Sequence, residues 1–295
     1  MESAARTHPV APENEEATEA WSGVLFDRFV VFRELILPGL AQFSDEALRL
    51  HPPKPGNRVL DIGCGFGDTT RKLAGIVGAE GEAVGVDIAE PFIETSIAEA
   101  AEARVENVRF MAGDVQVMDL PGTFDYVFSR MGVMFFANPV AALRNVREAM
   151  APRGRMCIVV WRRKLDNPWL RRAEEVANRH LEEPEETDEP TCGPGPFSMA
   201  DADTVSSQLL IAGFDEPTFT RFDRPMKLGD HLDHAVALNM SLGPAGELIR
   251  LAADEAERIR PTLEREIREV LADFEREDGS VHGNASIWIV TATAP

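Results

Sequence analysis

The residues best suited to chemistry lie in Asp61-Ile62-Gly63-Cys64-Gly65-Phe66-Gly67-Asp68 and, further on, in Ala83-Val84-Gly85-Val86-Asp87. Closely spaced glycines offer bare backbone that a ligand can approach without meeting a Cβ. An acid ending an apolar run is suited to gripping the hydroxyls of a ribose. Together they point to a bound nucleoside. Two strands and a helix must position them. Val59 to Ile62 is a short apolar run that breaks into the glycines, a buried strand turning tightly into the helix that follows; the run ending at Asp87 is a second strand.

Glycine spacing narrows the nucleoside. A dinucleotide turn needs Gly-x-Gly-x-x-Gly, whereas here the glycines fall at 63, 65 and 67 and Asp68 follows. An anionic side chain there opposes a pyrophosphate, and no Gly-Lys-Ser/Thr triplet is present to cradle a triphosphate. S-adenosylmethionine carries a sulfonium and no phosphate, so an acid-flanked glycine turn suits it.

Asp61 to Gly67 resembles motif I of the class I SAM-dependent methyltransferases. The remaining landmarks follow in order: Val108 to Val115 as a third strand ending at Asp114, Phe124 to Arg130 as a fourth, a helix from Ala141 to Met150, the turn Ala151 to Arg155, and a fifth strand from Met156 to Trp161. Ser129 to Phe136, Trp161, Asn167-Pro168-Trp169, Gly195-Pro196-Phe197 and Trp288 are similar to the ubiquinone/menaquinone methyltransferase-like branch. Met131 stands where that branch leads us to expect an aromatic.

The resemblance implies an α/β, Rossmann-like class I methyltransferase fold: a seven-stranded, mostly parallel sheet whose last strand runs antiparallel between strands five and six. It implies S-adenosyl-L-methionine as cofactor. Gly63, Gly65 and Gly67 then approach the methionine moiety, Asp61 orders its amino end, Asp87 with Ile88 holds the ribose, Asp114 and Val115 hold the adenine, and Ser129 faces the methionine end.

Composition bounds the rest. The chain has 295 residues, enough to bury a substantial core, and a formal net charge of -20. So acidic a surface repels a phosphate backbone, which speaks against a nucleic-acid partner. No segment has the apolar length of a membrane span and no signal pattern opens the chain, so the expected location is cytoplasmic. Cys64, Cys157 and Cys192 form no metal-binding pattern, so no metal is expected. The expected organisation is a disordered stretch over 1–16, an N-terminal helical cap over 17–55 interrupted at Pro38-Gly39, a SAM-binding domain over 56–227 with 281–295, and a helical lid over 228–280 with Pro261 as a kink or boundary. The acidic run from Glu182 to Glu189 is expected to be a solvated loop.

Side chains for an acceptor are sparser. Trp21 and Phe26 of the cap, with Arg130, Met131, Met134 and Trp169, are candidates for a substrate pocket; core packing is the competing reading for the aromatics and methionines. Arg130 suits either an acidic group of cofactor or substrate, or an ion pair with a framework acid such as Asp61. His231 and His234, three apart, suit a metal or a base, or simply a helix start with Asp230 as its cap. The expected activity is methyl transfer to a small apolar or aromatic metabolite at oxygen, by a monomer or homodimer. Carbon methylation of a quinone precursor and a catalytically silent SAM-binding scaffold are the alternatives.

Overall fold

Apolar runs become the interior of one sheet in the computed structural model, which describes residues 9–182 and 192–295. The strands are β1 (Arg58–Ile62), β2 (Glu82–Asp87), β3 (Val108–Ala112), β4 (Phe124–Arg130), β5 (Met150–Trp161), β6 (Asp215–Gly229) and β7 (Val281–Thr293), in the order β3-β2-β1-β4-β5-β7-β6. β7 is antiparallel to both its neighbours, with Ile158 opposite Val290 on one side and Phe219 opposite Val290 on the other. The other pairings are parallel. Parallel strands covered on both faces are apolar throughout, as Val59, Leu60, Phe128, Ile158 and Val159 are here, all fully buried.

Helices α4 (Asp68–Val77), α5 (Glu90–Glu102) and α6 (Pro139–Glu148) follow β1, β2 and β4, and α7 (Pro168–His180) and α8 (Ala202–Ala212) both lie between β5 and β6. The cap is α1 (Glu15–Ser22), α2 (Val24–Val31) and α3 (Arg33–Leu50); between β6 and β7 lie α9 (Leu232–Ser241), α10 (Gly243–Leu251) and α11 (Ala253–Leu271). Among the described residues no helix is long and apolar enough to cross a membrane.

Several expectations need correction. α3 runs unbroken through Pro38. Pro38 lies on the exposed face, where water can satisfy the carbonyl it leaves unbonded, and Gly39 lets β6 approach: a Cβ there would meet the Met226 side chain at 2.8 Å. The boundary expected at Pro261 is absent: α11 passes through that exposed residue, held by Ala256, Leu263, Ile267 and Leu271 on its buried face. The stretch expected to be disordered is ordered from residue 9 onward. Ala11 N–H and Asn14 Nδ2 both donate to Asp114 Oδ2, at 3.0 and 2.8 Å. Glu183, Glu185, Glu186, Asp188 and Glu189 of the acidic run lie outside the described residues.

Candidate active site

The turn between β1 and α4 is held from below. Gly63 and Cys64 donate their N–H groups to the Val86 carbonyl at 2.8 and 3.1 Å, so β2 fixes the start of the turn. Gly63, Gly65 and Gly67 all have positive φ, at 64°, 52° and 68°. A Cβ on Gly63 would lie 2.6 Å from Gly132 Cα, and one on Gly67 would lie 2.6 Å from the Phe110 ring; among the described residues nothing lies within 4 Å of one on Gly65. That open space belongs to a cavity of about 930 Å³, lined by Gly63 to Phe66, Asp87, Ile88, Asp114 and Val115 at one end.

Each acid around the turn has a distinct environment. Asp87 Oδ2 accepts from Gly65 N–H at 2.9 Å and Oδ1 from Ala89 N–H at 3.0 Å. Burial raises its pKa, opposed by those N–H groups. Asp114 Oδ1 accepts from Gln116 N–H at 2.8 Å, while Oδ2 takes the two donors of the N-terminal segment. Asp68, first in α4, forms a two-pronged pair with Arg130 at 2.8 and 3.0 Å. Burial pushes its pKa up, but the Arg130 charge and hydrogen bonds outweigh this and hold the carboxyl below its ordinary range. The framework-pair reading of Arg130 therefore holds, with Asp68 rather than Asp61 as partner. It also weakens Asp68 as an argument against a pyrophosphate, because its charge is offset; the glycine spacing still stands.

Asp61 is 1% exposed beneath the turn and does not line the cavity. Thr70 donates to it at 2.6 Å, and burial pushes its pKa up to about 7, opposed by that bond and by the Arg130 charge. A carboxyl whose folded pKa exceeds its unfolded value keeps its proton in the folded state where the unfolded chain has lost it, so this stabilisation is full at low pH and lost as pH rises through about 7. Asp61→Asn is expected to gain several degrees of melting temperature over wild type at pH 8 and little at pH 5. Thermal denaturation at both values checks this, and a difference independent of pH would overturn it.

The far half of the cavity is mostly apolar. Trp21, Leu25 and Phe29 come from the N-terminal helices, Met131, Met134 and Phe135 from the segment after β4, Trp169 and Leu170 from α7, and Leu242, Leu248 and Leu251 from α10 and its N-cap. Met131 has a φ of 63°, unusual for a side-chain-bearing residue, directly after β4. The covers meet at Cys192, whose carbonyl accepts from Trp21 Nε1 at 3.1 Å and whose N–H donates to Glu247 Oε1 at 3.0 Å.

Residues 53–189 match a family described as a methyltransferase domain. This segment is similar to methyltransferase domains. The chain is 30% identical over 165 residues to the ubiquinone/menaquinone biosynthesis C-methyltransferase UbiE of Ectopseudomonas mendocina, covering 55% of this chain and 64% of that one. It is 37% identical over 110 residues to the nocamycin O-methyltransferase of Saccharothrix syringae, covering 37% and 39%, and 31% identical over 114 residues to a demethylmenaquinone methyltransferase of Bacillus cereus, covering 38% and 47%. The chain thus spans less than two thirds of the length of each. In fold the chain is similar to the YcgJ protein of Bacillus subtilis, with a TM-score of 0.55 at 17% identity, covering 86% of this chain and 97% of that one. It is also similar to the phosphoethanolamine N-methyltransferase 2 of Haemonchus contortus, solved in complex with S-adenosyl-L-methionine, with a TM-score of 0.52 at 14% identity, covering 95% and 60%.

The fold brings together Gly63, Gly65, Asp87, Ile88, Asp114, Val115, Trp21, Arg130, Met131, Met134 and Trp169 around one cavity. It leaves out several expected site residues. Gly67 packs against Phe110 and Ser96, and fully buried Ser129 donates to the Ile62 carbonyl at 2.7 Å. Phe26 packs on Phe66 and Phe92 with centroids 6.2 and 4.9 Å away. His231 caps α9 itself, its Nδ1 accepting from His234 N–H at 3.3 Å, so Asp230 is not the cap; neither histidine lines the cavity. The sequence reading missed Asn14, Lys164, Glu174, Asn178 and Glu247, all cavity-lining. Glu174 and Asn178 follow Leu170 at four-residue steps, a signal legible once α7 is taken to face the site.

The residues present fit S-adenosyl-L-methionine. The cradle above Gly65 is the space a Cβ would fill, and Asp87 and Asp114 flank the same end of the cavity with oxygen acceptors.

Proposed function

We propose that this protein is a SAM-dependent methyltransferase acting at oxygen on a small apolar or aromatic metabolite. The observation that carries the reading is a single cavity that joins the glycine turn, Asp87 and Asp114 to a chamber walled by Trp21, Leu25, Phe29, Met131, Trp169 and Leu248. Its volume of about 930 Å³ lies near the top of the ~300–1,000 Å³ range of small-molecule sites, consistent with cofactor and acceptor side by side.

Asp87 accepts the ribose hydroxyls, Asp114 with Val115 meets the adenine, and the bare backbone of Gly63 and Gly65 takes the methionine moiety. Bound there, the cofactor supplies a methyl group on a sulfonium sulfur, whose C–S electrons stay on sulfur as the acceptor's lone pair forms the new bond. The chain's contribution is to hold the acceptor atom in line at roughly 3 to 3.5 Å from that carbon and to exclude water with apolar walls. Among the described residues no histidine lines the cavity. Burial pushes the Cys64 and Cys192 thiols up, with neighbouring acids reinforcing it, so neither is a base at neutral pH. The lining carboxylates are engaged, Asp87 and Asp114 by backbone N–H groups, Glu174 by Lys164 and Glu247 by Arg250, so positioning dominates and acceptors that ionise near neutral pH without help are favoured.

Carbon as the atom methylated is the second reading, favoured by the relatives named for C-methylation and for demethylmenaquinone. The test combines calorimetry of S-adenosylmethionine and S-adenosylhomocysteine with a screen of phenols, carboxylic acids and quinone precursors, read by mass spectrometry and by NMR of the product. Micromolar binding and an O-methyl product are expected. A C-methyl product moves the assignment to the second reading; binding without turnover of any acceptor supports the silent scaffold, and no binding at millimolar cofactor overturns the proposal.

A further inference from the structure

Helix α7 presents Leu170, Glu174 and Asn178 to the cavity, one turn apart on one face. Exposure rises along that row: Leu170 is 5% exposed, the Glu174 side chain 14%, and Asn178 is on the surface. The row therefore runs from an apolar interior to a polar mouth. At the mouth Lys164, from the single turn after β5, places Nζ 2.5 Å from Glu174 Oε1 and 5.8 Å from the Phe197 ring centroid. The Asn178 side chain has no hydrogen-bond partner among the described residues, which leaves both its amide donor and its carbonyl acceptor available. The other charged groups lining the cavity, among the described residues, are engaged: Arg130 with Asp68, Glu247 with Arg250, and Asp87 and Asp114 with backbone N–H groups.

Resting on the methyl-transfer reading, we propose that the acceptor is amphipathic: its apolar body lies along α7 and an uncharged hydrogen-bonding end, a hydroxyl, carbonyl or amide, is read by Lys164, Glu174 and Asn178. The Lys164–Glu174 pair carries no net charge yet offers ammonium donors and carboxylate acceptors. A neutral polar group can bond to either partner while the pair stays intact. An anionic end bonded to Lys164 would stand beside the mostly buried Glu174 carboxylate, and a cationic end bonded to Glu174 would stand beside the Lys164 ammonium; like charges then meet in each case, which disfavours both.

Three probes with one aromatic body test this: 6-hydroxy-2-naphthamide, 6-hydroxy-2-naphthoate and 6-(aminomethyl)-2-naphthol. Each is titrated calorimetrically into full-length wild type, Glu174→Gln and Lys164→Met saturated with S-adenosylhomocysteine, whose own binding is measured first. Wild type is expected to prefer the amide by about tenfold over either charged probe. Glu174→Gln frees the Lys164 charge and is expected to tighten the naphthoate by about tenfold; Lys164→Met frees Glu174 and is expected to tighten the amine by a similar factor. One ranking common to all three proteins overturns the proposal, as does failure of every probe to bind a protein that binds S-adenosylhomocysteine. Failure to bind S-adenosylhomocysteine instead overturns the methyl-transfer reading, and this inference with it.

Discussion

An Asp87→Ala variant is expected to bind S-adenosylhomocysteine at least about 100-fold more weakly than wild type while remaining folded. Asp87 has two jobs in one carboxylate. Its oxygens accept from Gly65 and Ala89 N–H, which pins the glycine turn to the end of β2, and each oxygen retains a lone pair for a ribose hydroxyl. A hydrogen bond to a charged group contributes about 1.5–3 kcal/mol, so losing two of them alone corresponds to roughly two to four orders of magnitude in affinity. Folding is affected less. The carboxylate is costly to bury, as its raised pKa reports, and its removal offsets part of the loss at the two N–H groups. Asp87→Asn keeps one carbonyl acceptor and is expected to fall between wild type and Asp87→Ala. Calorimetry alongside thermal denaturation separates the effects: a stable Asp87→Ala protein that binds within threefold of wild type would remove Asp87 from the ribose.

Where structure follows from local pattern, the sequence was legible. The apolar runs at Val59–Ile62 and Ala83–Val86 and the glycines between them define strand, turn and strand without reference to the rest of the chain, and the resemblance they carry supplied the sheet order. What escaped was tertiary. Asp68 and Arg130 lie 62 positions apart, and nothing in either neighbourhood names the other. Pro38 and Pro261 signal helix ends locally, but each falls on a solvent face of a helix anchored by its opposite side, and packing overrides propensity. Residues from Pro9 to Glu16 have a composition suited to disorder, yet Ala11 and Asn14 find Asp114, a partner that appears only after the sheet forms. His231 and His234 show the converse: their spacing suits chemistry, but α9 holds them away from the cavity. Trp21 and Phe26 are close in sequence but lie on α1 and α2, which part at Gly23, so that Trp21 lines the cavity while Phe26 packs into the Phe66–Phe92 cluster.

Two glycine substitutions in the same turn are expected to fail in opposite ways. At Gly63 the backbone has a φ of 64° and an added Cβ would lie 2.6 Å from Gly132 Cα, so the obstacle is main chain and cannot rotate aside. The left-handed conformation costs a side chain ~1–2 kcal/mol and overpacking ~1–3 kcal/mol more, so Gly63→Ala is expected to lose about 2–5 kcal/mol of stability, much of a typical domain's total. Gly65 has a φ of 52°, but nothing lies within 4 Å of its added Cβ. Gly65→Ala is therefore expected to lose only the conformational ~1–2 kcal/mol, yet to weaken S-adenosylhomocysteine binding sharply, because the methyl fills the space assigned to the methionine moiety. Chemical denaturation ranks the stabilities, and calorimetry on the folded Gly65→Ala protein measures the affinity. Wild-type stability in Gly63→Ala would deny the close approach of the β1 and β4 turns. Undiminished binding in Gly65→Ala would place the cofactor elsewhere in the cavity, even if the fold and the domain family stand. The pair thus tests separately what the glycine motif does for the chain and what it does for the ligand.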